Sequence, residues 1–408
     1  MDEDMFLSNA LDYVKRIRNH PCIALYCGRN EGYPPATIDS RLRNFVAQQH
    51  PGITYISSSA DDGVSGHGPY WAIPAREYFE RQTGKLHSER GMPNVMTWEG
   101  LSRTLRPEHL WPQDNEWGQH DYCMKGAQRG ASFNEIVRTA FGEINDARTF
   151  ATLAQWVNYE GYRAMYESGS ADRLGLLIWM SHACWPSMTW QCYDYYFEPT
   201  AAFFGCKKAC EPLHIQWNAL SGNVEVVNRS AGLQQALTAS CRIMDLKGNT
   251  LSSSSRKLSC NEDSTVVCQQ VEFPEDSTRV YVVKLELREA EEGALLSENT
   301  YVQPASDGNR LQLLQLPQVG LSTSCSMYPN HLTLRIQNPS DIPVFMIRLC
   351  LRAKDGEQVL PVTYSDNYFH LMPGEEKAVI VEWNESDTRG LPVSVSLSAL
   401  NVQETILP

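Results

Sequence analysis

The sequence predicts a multidomain chain in which an α/β region, reading as part of a (β/α)8 barrel, is followed by two all-β sandwiches. Three observations carry this. At 408 residues the chain is too long for one ordinary domain and long enough to bury two or three cores. Up to about residue 213, helix-period stretches alternate with short apolar runs that end in polar or glycine residues, as strands and helices do when they alternate. Beyond it, short strands of alternating polarity follow one another across turns, the pattern of a sandwich.

The elements follow in order. Residues 4–19 place Phe6, Leu7, Leu11, Val14 and Ile17 on one helix face, and Pro21 stops the helix. CIALYCGRNE then reads as a buried strand whose polar end is Arg29, Asn30 and Glu31. GITYISSSADD at 52–62 and KLHSERGMP at 85–93 repeat that pattern. Residues 132–168 carry long helical periodicity, and LGLLIWMSHACWP at 174–186 is the most apolar strand. Strands with apolar bodies and polar C-terminal ends, separated by helices, point to a barrel, although only about half of its eight strands are present. From 214, LHIQWN, NVEVVNR, LTASCRIMDLKGNTL and RVYVVKLELREA read as sandwich strands, with a turn at Lys247-Gly248-Asn249. The SSSS run at 252–255 reads as a loop tip. A second sandwich starts near 310 and includes a hairpin-like turn at Lys354-Asp355-Gly356. The domains expected are therefore 1–213, 214–309 and 310–408.

Charge narrows the function classes. The chain has 35 basic and 48 acidic residues, a formal charge of −13, with no basic cluster. That excludes a nucleic-acid or anionic-membrane partner. No apolar stretch approaches the roughly 20 residues that cross a bilayer, and the N-terminal segment lacks a signal-like apolar centre. The compartment stays open. Twelve cysteines show no C-x-x-C pair and no histidine spacing for zinc, so no metal is expected. They read as mostly free and buried, with a Cys260 to Cys268 bridge within a hairpin as the exception to check. Nearly all of the ten tryptophans precede residue 218, which suits either a carbohydrate site of flat aromatic faces or a large aromatic core.

Retaining glycoside hydrolysis needs two carboxyl groups about 5–5.5 Å apart, one to protonate the leaving oxygen and one to attack the anomeric carbon. Glu31 follows Asn30 at a strand end, where the amide could bind a sugar hydroxyl beside the carboxyl; a solvated surface turn is the alternative. Glu89, in His87-Ser88-Glu89-Arg90-Gly91, lies at another strand end, where Arg90 or His87 could keep it ionised; a surface ion pair would read the same way. Glu99 is the rival nucleophile, but it sits where a helix starts and reads as an N-terminal helix charge. His67, Tyr70, Trp111, Trp117, His120, Asp121, Trp179, Trp185 and Trp190 complete the candidates, each of which could equally be packing.

Together, HPCIALYCGRNE, KLHSERGMP, ACWPSMTWQCYDYYFEP and FFGCKKACEPLHIQWN resemble glycoside hydrolase family 2, in its β-mannosidase, endo-β-mannosidase and exo-β-glucosaminidase branch. LPVTYSDNYFHLMPGEEKAVIVEW resembles that branch's last immunoglobulin-like module, so the resemblance covers nearly the whole chain. It implies an incomplete barrel from about strand four onward, then two immunoglobulin-like sandwiches. It also implies Glu31 as general acid/base at the end of strand four, Glu89 as nucleophile at the end of strand seven, Asn30 on the sugar 2-hydroxyl and Trp185 on the subsite floor. His67, Tyr70, Trp111, His120 and Trp179 are the further substrate-binding candidates. The family often shows Trp-x-Gly-Asn where this chain has Tyr26-Cys27-Gly28-Arg29-Asn30, which leaves subsite shape open. Exo-β-glucosaminidases of the branch tend to carry Asp where Glu31 stands, so the activity expected is β-mannosidase-like, with exo-β-glucosaminidase or β-galactosidase activity as alternatives. The 58 residues from Glu31 to Glu89 compress strands five and six.

The expected partner is a β-linked oligosaccharide or glycoconjugate, with no cofactor. The helix before strand four opens the sequence, so a fragment is expected, with the missing N-terminal half or a second copy as a further partner. A half barrel leaves open sheet edges. The reading from another class is a non-catalytic glycan-binding or structural fragment. The nucleotide sequence upstream of Met1 discriminates between them.

Overall fold

The computed structural model describes residues 2–122, 130–169, 175–274, 278–290, 293–305 and 308–407. They form two compact units: the described residues within 1–69, 82–91 and 172–179, and the remainder. No helix among the described residues is long and apolar enough to cross a membrane.

In the first unit, helix α1 (Glu3–Ile17) is capped by the Asp2 carboxylate, which accepts the N–H groups of Asp4 and Met5. Glu3 and Asp4 at its start and Lys15 and Arg16 at its end complement the helix dipole. Its expected face holds, with Leu7 and Val14 buried against Ile38, Leu42 and Val46 of α2 (Ala36–Gln49). Phe6, placed on that face by periodicity, is exposed. β1 (Leu25–Arg29) pairs in parallel with β2 (Thr54–Ser58), Leu25 opposite Thr54 and Arg29 opposite Ser58. β3 (Val64–Ser65), β4 (Leu86–Arg90) and β5 (Leu176–Ile178) form a second parallel sheet.

β1 is not the buried strand its apolar run implied. It starts three residues later, and only Tyr26 is buried while Cys27 and Arg29 are exposed. Its one hydrogen-bonded strand neighbour among the described residues is β2, so β1 is an edge strand.

The second unit carries α3 (Ala75–Glu80), α4 (Trp98–Thr104), α5 (Asn115–Gln119), α6 (Gly130–Phe141), α7 (Ala147–Glu167) and α8 (Ala201–Ala209). The helical period over 132–168 divides into α6 and α7 because Gly142 turns the chain at φ +79° and the Asp146 side chain caps α7. α7 is buried around most of its circumference, as befits a helix covered by neighbours on every side. α8 packs so closely on it that a Cβ on Gly205 would collide with the Tyr159 carbonyl.

The first sandwich pairs β6 (Leu213–Trp217), β7 (Asn223–Asn228) and β10 (Ser264–Gln270) in the order β10-β7-β6. Opposite runs a sheet of β8 (Gln234–Met244), β9 (Thr250–Cys260), β11 (Val280–Glu289) and β12 (Leu295–Pro304) in the order β12-β11-β8-β9. Their inner faces bury Ile215, Val226, Leu237, Cys241, Val283 and Leu285. Two expectations fail here. Ser252–Ser255 is not a loop tip but the interior of edge strand β9, where an unpaired, exposed flank tolerates polar side chains. Cys260 and Cys268 are buried free thiols, because β9 and β10 belong to opposite sheets and not to one hairpin.

The second sandwich sets β13 (Ser322–Met327), β14 (His331–Gln337), β18 (Glu376–Trp383) and β16 (Val362–Tyr364), ordered β13-β14-β18-β16, beside a second sheet. That sheet holds β17 (Phe369–Leu371), β15 (Val344–Ala353), β19 (Val393–Ala399) and β20 (Val402–Leu407), ordered β17-β15-β19-β20. Both expected turns are present: Gly248 and Gly356 adopt φ +77° and +88°, each N–H closing onto the carbonyl three residues earlier.

Buried charge ties the sandwiches to the helices. His214 on β6 has Nε2 3.1 Å from Glu167 of α7 and Nδ1 3.1 Å from Glu211. The Tyr301 hydroxyl donates to the same Glu167 oxygen at 2.8 Å. Burial lowers the His214 pKa, but hydrogen bonds to the two carboxylates outweigh it, so the imidazolium is favoured.

Candidate active site

Both candidate carboxylates belong to the first unit. The β1–β2 ladder runs one step past the strands, Ser59 N–H donating to the Arg29 carbonyl at 3.0 Å. Ser59 Oγ then accepts the Glu31 N–H at 2.9 Å and donates to Asn30 Oδ1 at 3.2 Å. The Ser88 hydroxyl donates to the Ser59 carbonyl. One residue therefore joins the end of β1, which leads into Asn30 and Glu31, to the middle of β4, which carries Ser88 and Glu89, although these strands belong to separate hydrogen-bonded sheets.

Gly66 makes this junction possible. A Cβ there would collide with both the Ser59 carbonyl and the Ser88 hydroxyl. Glu31 itself has φ +47°, a left-handed conformation uncommon for a residue with a Cβ and found disproportionately at functional positions. Glu31 and Asn30 are exposed, while Glu89 is half-buried. The neighbours proposed for Glu89 are both buried, with Arg90 Nη2 3.3 Å from His87 Nε2. Trp179, exposed, follows β5 and donates its N–H to the Arg90 carbonyl at 2.9 Å. His67 is exposed just past Gly66.

The remaining candidates lie in the second unit. The His120 imidazole stacks on Trp185 with centroids 5.3 Å apart, and its Nδ1 donates to the Pro186 carbonyl, which leaves Nε2 as the acceptor nitrogen. Trp185 keeps an exposed face. The Trp190 indole donates to the Tyr70 carbonyl at 2.9 Å and its ring meets that of Tyr70 edge-on. Trp117 is fully buried, and Trp111 packs on Phe150 at 5.6 Å.

Glu99 lies in the first turn of α4, as its position implied. Its carboxylate is gripped by Arg348 at 2.9 Å and Arg352 at 2.5 Å, both from β15. Burial alone would raise its pKa, but the two guanidinium groups bring it down to about 2. Ser59, Gly66 and Ser88 were not singled out from the sequence. The only trace of Ser59 is the serine-rich polar end of GITYISSSADD.

The largest cavity described, about 800 Å³, lies in the second unit among α3, α6, α7 and the first sandwich, and none of the candidate residues lines it.

Residues 299–402 match the exo-β-D-glucosaminidase Ig-fold domain family. Over 98% of its length the chain is 23% identical to an exo-β-D-glucosaminidase of Arthroderma benhamiae, covering 50% of that protein. Over 99% it is 24% identical to a mannosylglycoprotein endo-β-mannosidase of Lilium longiflorum, covering 54%. The fold superposes on an exo-chitosanase of Amycolatopsis orientalis with a TM-score of 0.91 at 22% identity, over all of this chain and 54% of that one. For a β-D-mannosidase of Dictyoglomus thermophilum the TM-score is 0.79 at 18% identity, with 99% and 51% covered. The chain thus spans about half the length of the curated relatives it matches. In sequence and fold the chain is thus similar to the exo-β-D-glucosaminidases and β-mannosidases, aligning with the C-terminal half of those proteins.

Proposed function

We propose that this chain carries the two carboxylates of a retaining β-glycoside hydrolase on strands four to eight of a (β/α)8 barrel, β1 to β5 in the numbering above. The observation that supports this best is the Ser59 junction, which gathers the chain ends bearing Glu31 and Glu89. Glu89, half-buried, attacks the anomeric carbon while Glu31 protonates the leaving oxygen; Glu31, open to solvent, then takes a proton from the water that cleaves the glycosyl ester. Because Asn30 Oδ1 is engaged by Ser59, its amide N–H groups are left to donate to a sugar hydroxyl. In the first unit, exposed Trp179 is proposed to offer its aromatic face to the sugar and His67 to make a polar contact; Tyr70, Trp111, His120 and Trp185, which belong to the second unit, are proposed as substrate-binding residues on the resemblance alone. A glutamate at position 31 favours a mannoside over a glucosaminide.

The test is hydrolysis of aryl β-mannoside, glucosaminide, galactoside and glucuronide by this chain and by a longer protein with the front of the barrel restored. Activity in the longer protein names the sugar, and a fluoro-sugar inactivator should label Glu89. Labelling at Glu99 would sink the assignment. The open outer edge of β1 favours one second reading, a non-catalytic glycan-binding or structural fragment, which inactivity of both proteins would support.

A further inference from the structure

Two thiols in the second unit face each other without a bond. Cys192 Sγ lies 3.8 Å from Cys206 Sγ, in contact across the short gap between the segment entering α8 and the second turn of α8 itself. Both sulfurs are held in place. The Cys192 carbonyl accepts the N–H of Thr200 at 3.1 Å and its hydroxyl at 2.9 Å, which folds 192–200 back on the helix start. Cys206 is fixed by α8, which is locked onto α7 at Gly205. Cys192 is buried and Cys206, as a residue, half-buried.

We propose that Cys192 and Cys206 are a redox-modification site that closes to a disulfide under hydrogen peroxide. Peroxide oxidises one thiolate to a sulfenic acid as its O–O bond breaks and hydroxide leaves. The other sulfur then displaces the sulfenic oxygen, so two thiols and one peroxide give one disulfide and two waters. The product staples the loop containing Asp194 and Glu198 to α8. Burial, then the hydrogen bond and charge of Cys192, push the Cys206 thiol well above its usual range, so little thiolate exists at neutral pH and the reaction quickens as pH rises.

The rival geometry is a bond between Cys206 and exposed Cys210, one helical turn on. The test treats the folded chain with hydrogen peroxide at neutral and mildly alkaline pH, then alkylates under denaturing conditions and maps peptides without reduction. Expected are a linked Cys192–Cys206 pair, faster formation at the higher pH, release by dithiothreitol, and retention of the link in Cys210→Ser. Both thiols remaining alkylatable while exposed Cys22 and Cys184 oxidise would overturn the proposal, as would a link from Cys206 to Cys210. A Cys192→Ser variant, checked for folding by circular dichroism, should show no linked peptide from Cys206; one that still does refutes the assigned pair.

Discussion

Replacing Arg348 with methionine removes one side chain that holds two elements of the second unit to the second sandwich. Its Nη1 lies 2.9 Å from Glu99 on α4, and its Nη2 is 2.6 Å from Glu198 on the segment before α8. All three side chains are largely buried, at 17%, 14% and 7% exposure. The two carboxylates lose unequally. Glu99 retains Arg352 at 2.5 Å, whereas Glu198 keeps only neutral donors, Thr97 at 2.7 Å and Gln358 at 2.9 Å. Glu198 also stays beside Asp194, whose pKa burial and the Glu198 charge push up to about 7. Stranding a buried charge in this way costs about 3–5 kcal/mol, and the neutral donors left to Glu198 place Arg348→Met near the lower end, about 3 kcal/mol. Adding Glu198→Gln removes the stranded charge while keeping an oxygen for Thr97 and Gln358, so the double variant should recover about half of the loss. Urea unfolding of the chain followed by tryptophan fluorescence, taken around the double-mutant cycle at pH 7.5, measures both terms. A single-variant loss below ~1 kcal/mol, or losses that simply add, would refute the reasoning.

Gly66→Ala should push the Ser59 carbonyl and Ser88 hydroxyl apart by ~1 Å, lowering kcat by roughly 10²-fold in a protein that has glycosidase activity while the second unit unfolds normally; unchanged kcat would remove Gly66 from the site. His214 makes stability depend on pH with a defined sign. Its folded pKa is raised, so its contribution is complete below the unfolded value of about 6.5 and is lost as pH climbs through the folded value. Calorimetry from pH 6 to 9 should show the gap in Tm between the native chain and His214→Gln narrowing as pH rises, and a constant gap would contradict it. Glu211 acts at the other end. With its pKa brought down to about 2 by His214 and Lys208 against the effect of burial, its stabilisation is present above about 4.5 and fades as pH falls toward 2, which Glu211→Gln should abolish.

What the sequence determined by itself are the features written in neighbouring residues. The run of short strands after 213, the glycine turns at 248 and 356, the α1 face through Leu7 and Val14, and the strand that ends before Asn30-Glu31 are local patterns, and each is present near where the sequence placed it. The motifs likewise carried the resemblance to exo-β-D-glucosaminidases and β-mannosidases. What only the tertiary structure decided are the relations between distant residues. Glu99 reads as a free helix-start charge until Arg352, 253 residues away, is brought against it by β15. The serines at 252–255 look like a loop until β8 pairs with them, and Cys260 and Cys268 look like a hairpin pair until their strands part into opposite sheets. The exposure of β1 depends on which strand flanks it, which no window of its own residues contains. Ser59 shows the limit most directly, since a serine after a strand has no distinguishing composition. Its importance comes from serving four partners at once, Arg29, Asn30, Glu31 and Ser88, which meet only when strands from separate parts of the chain come together.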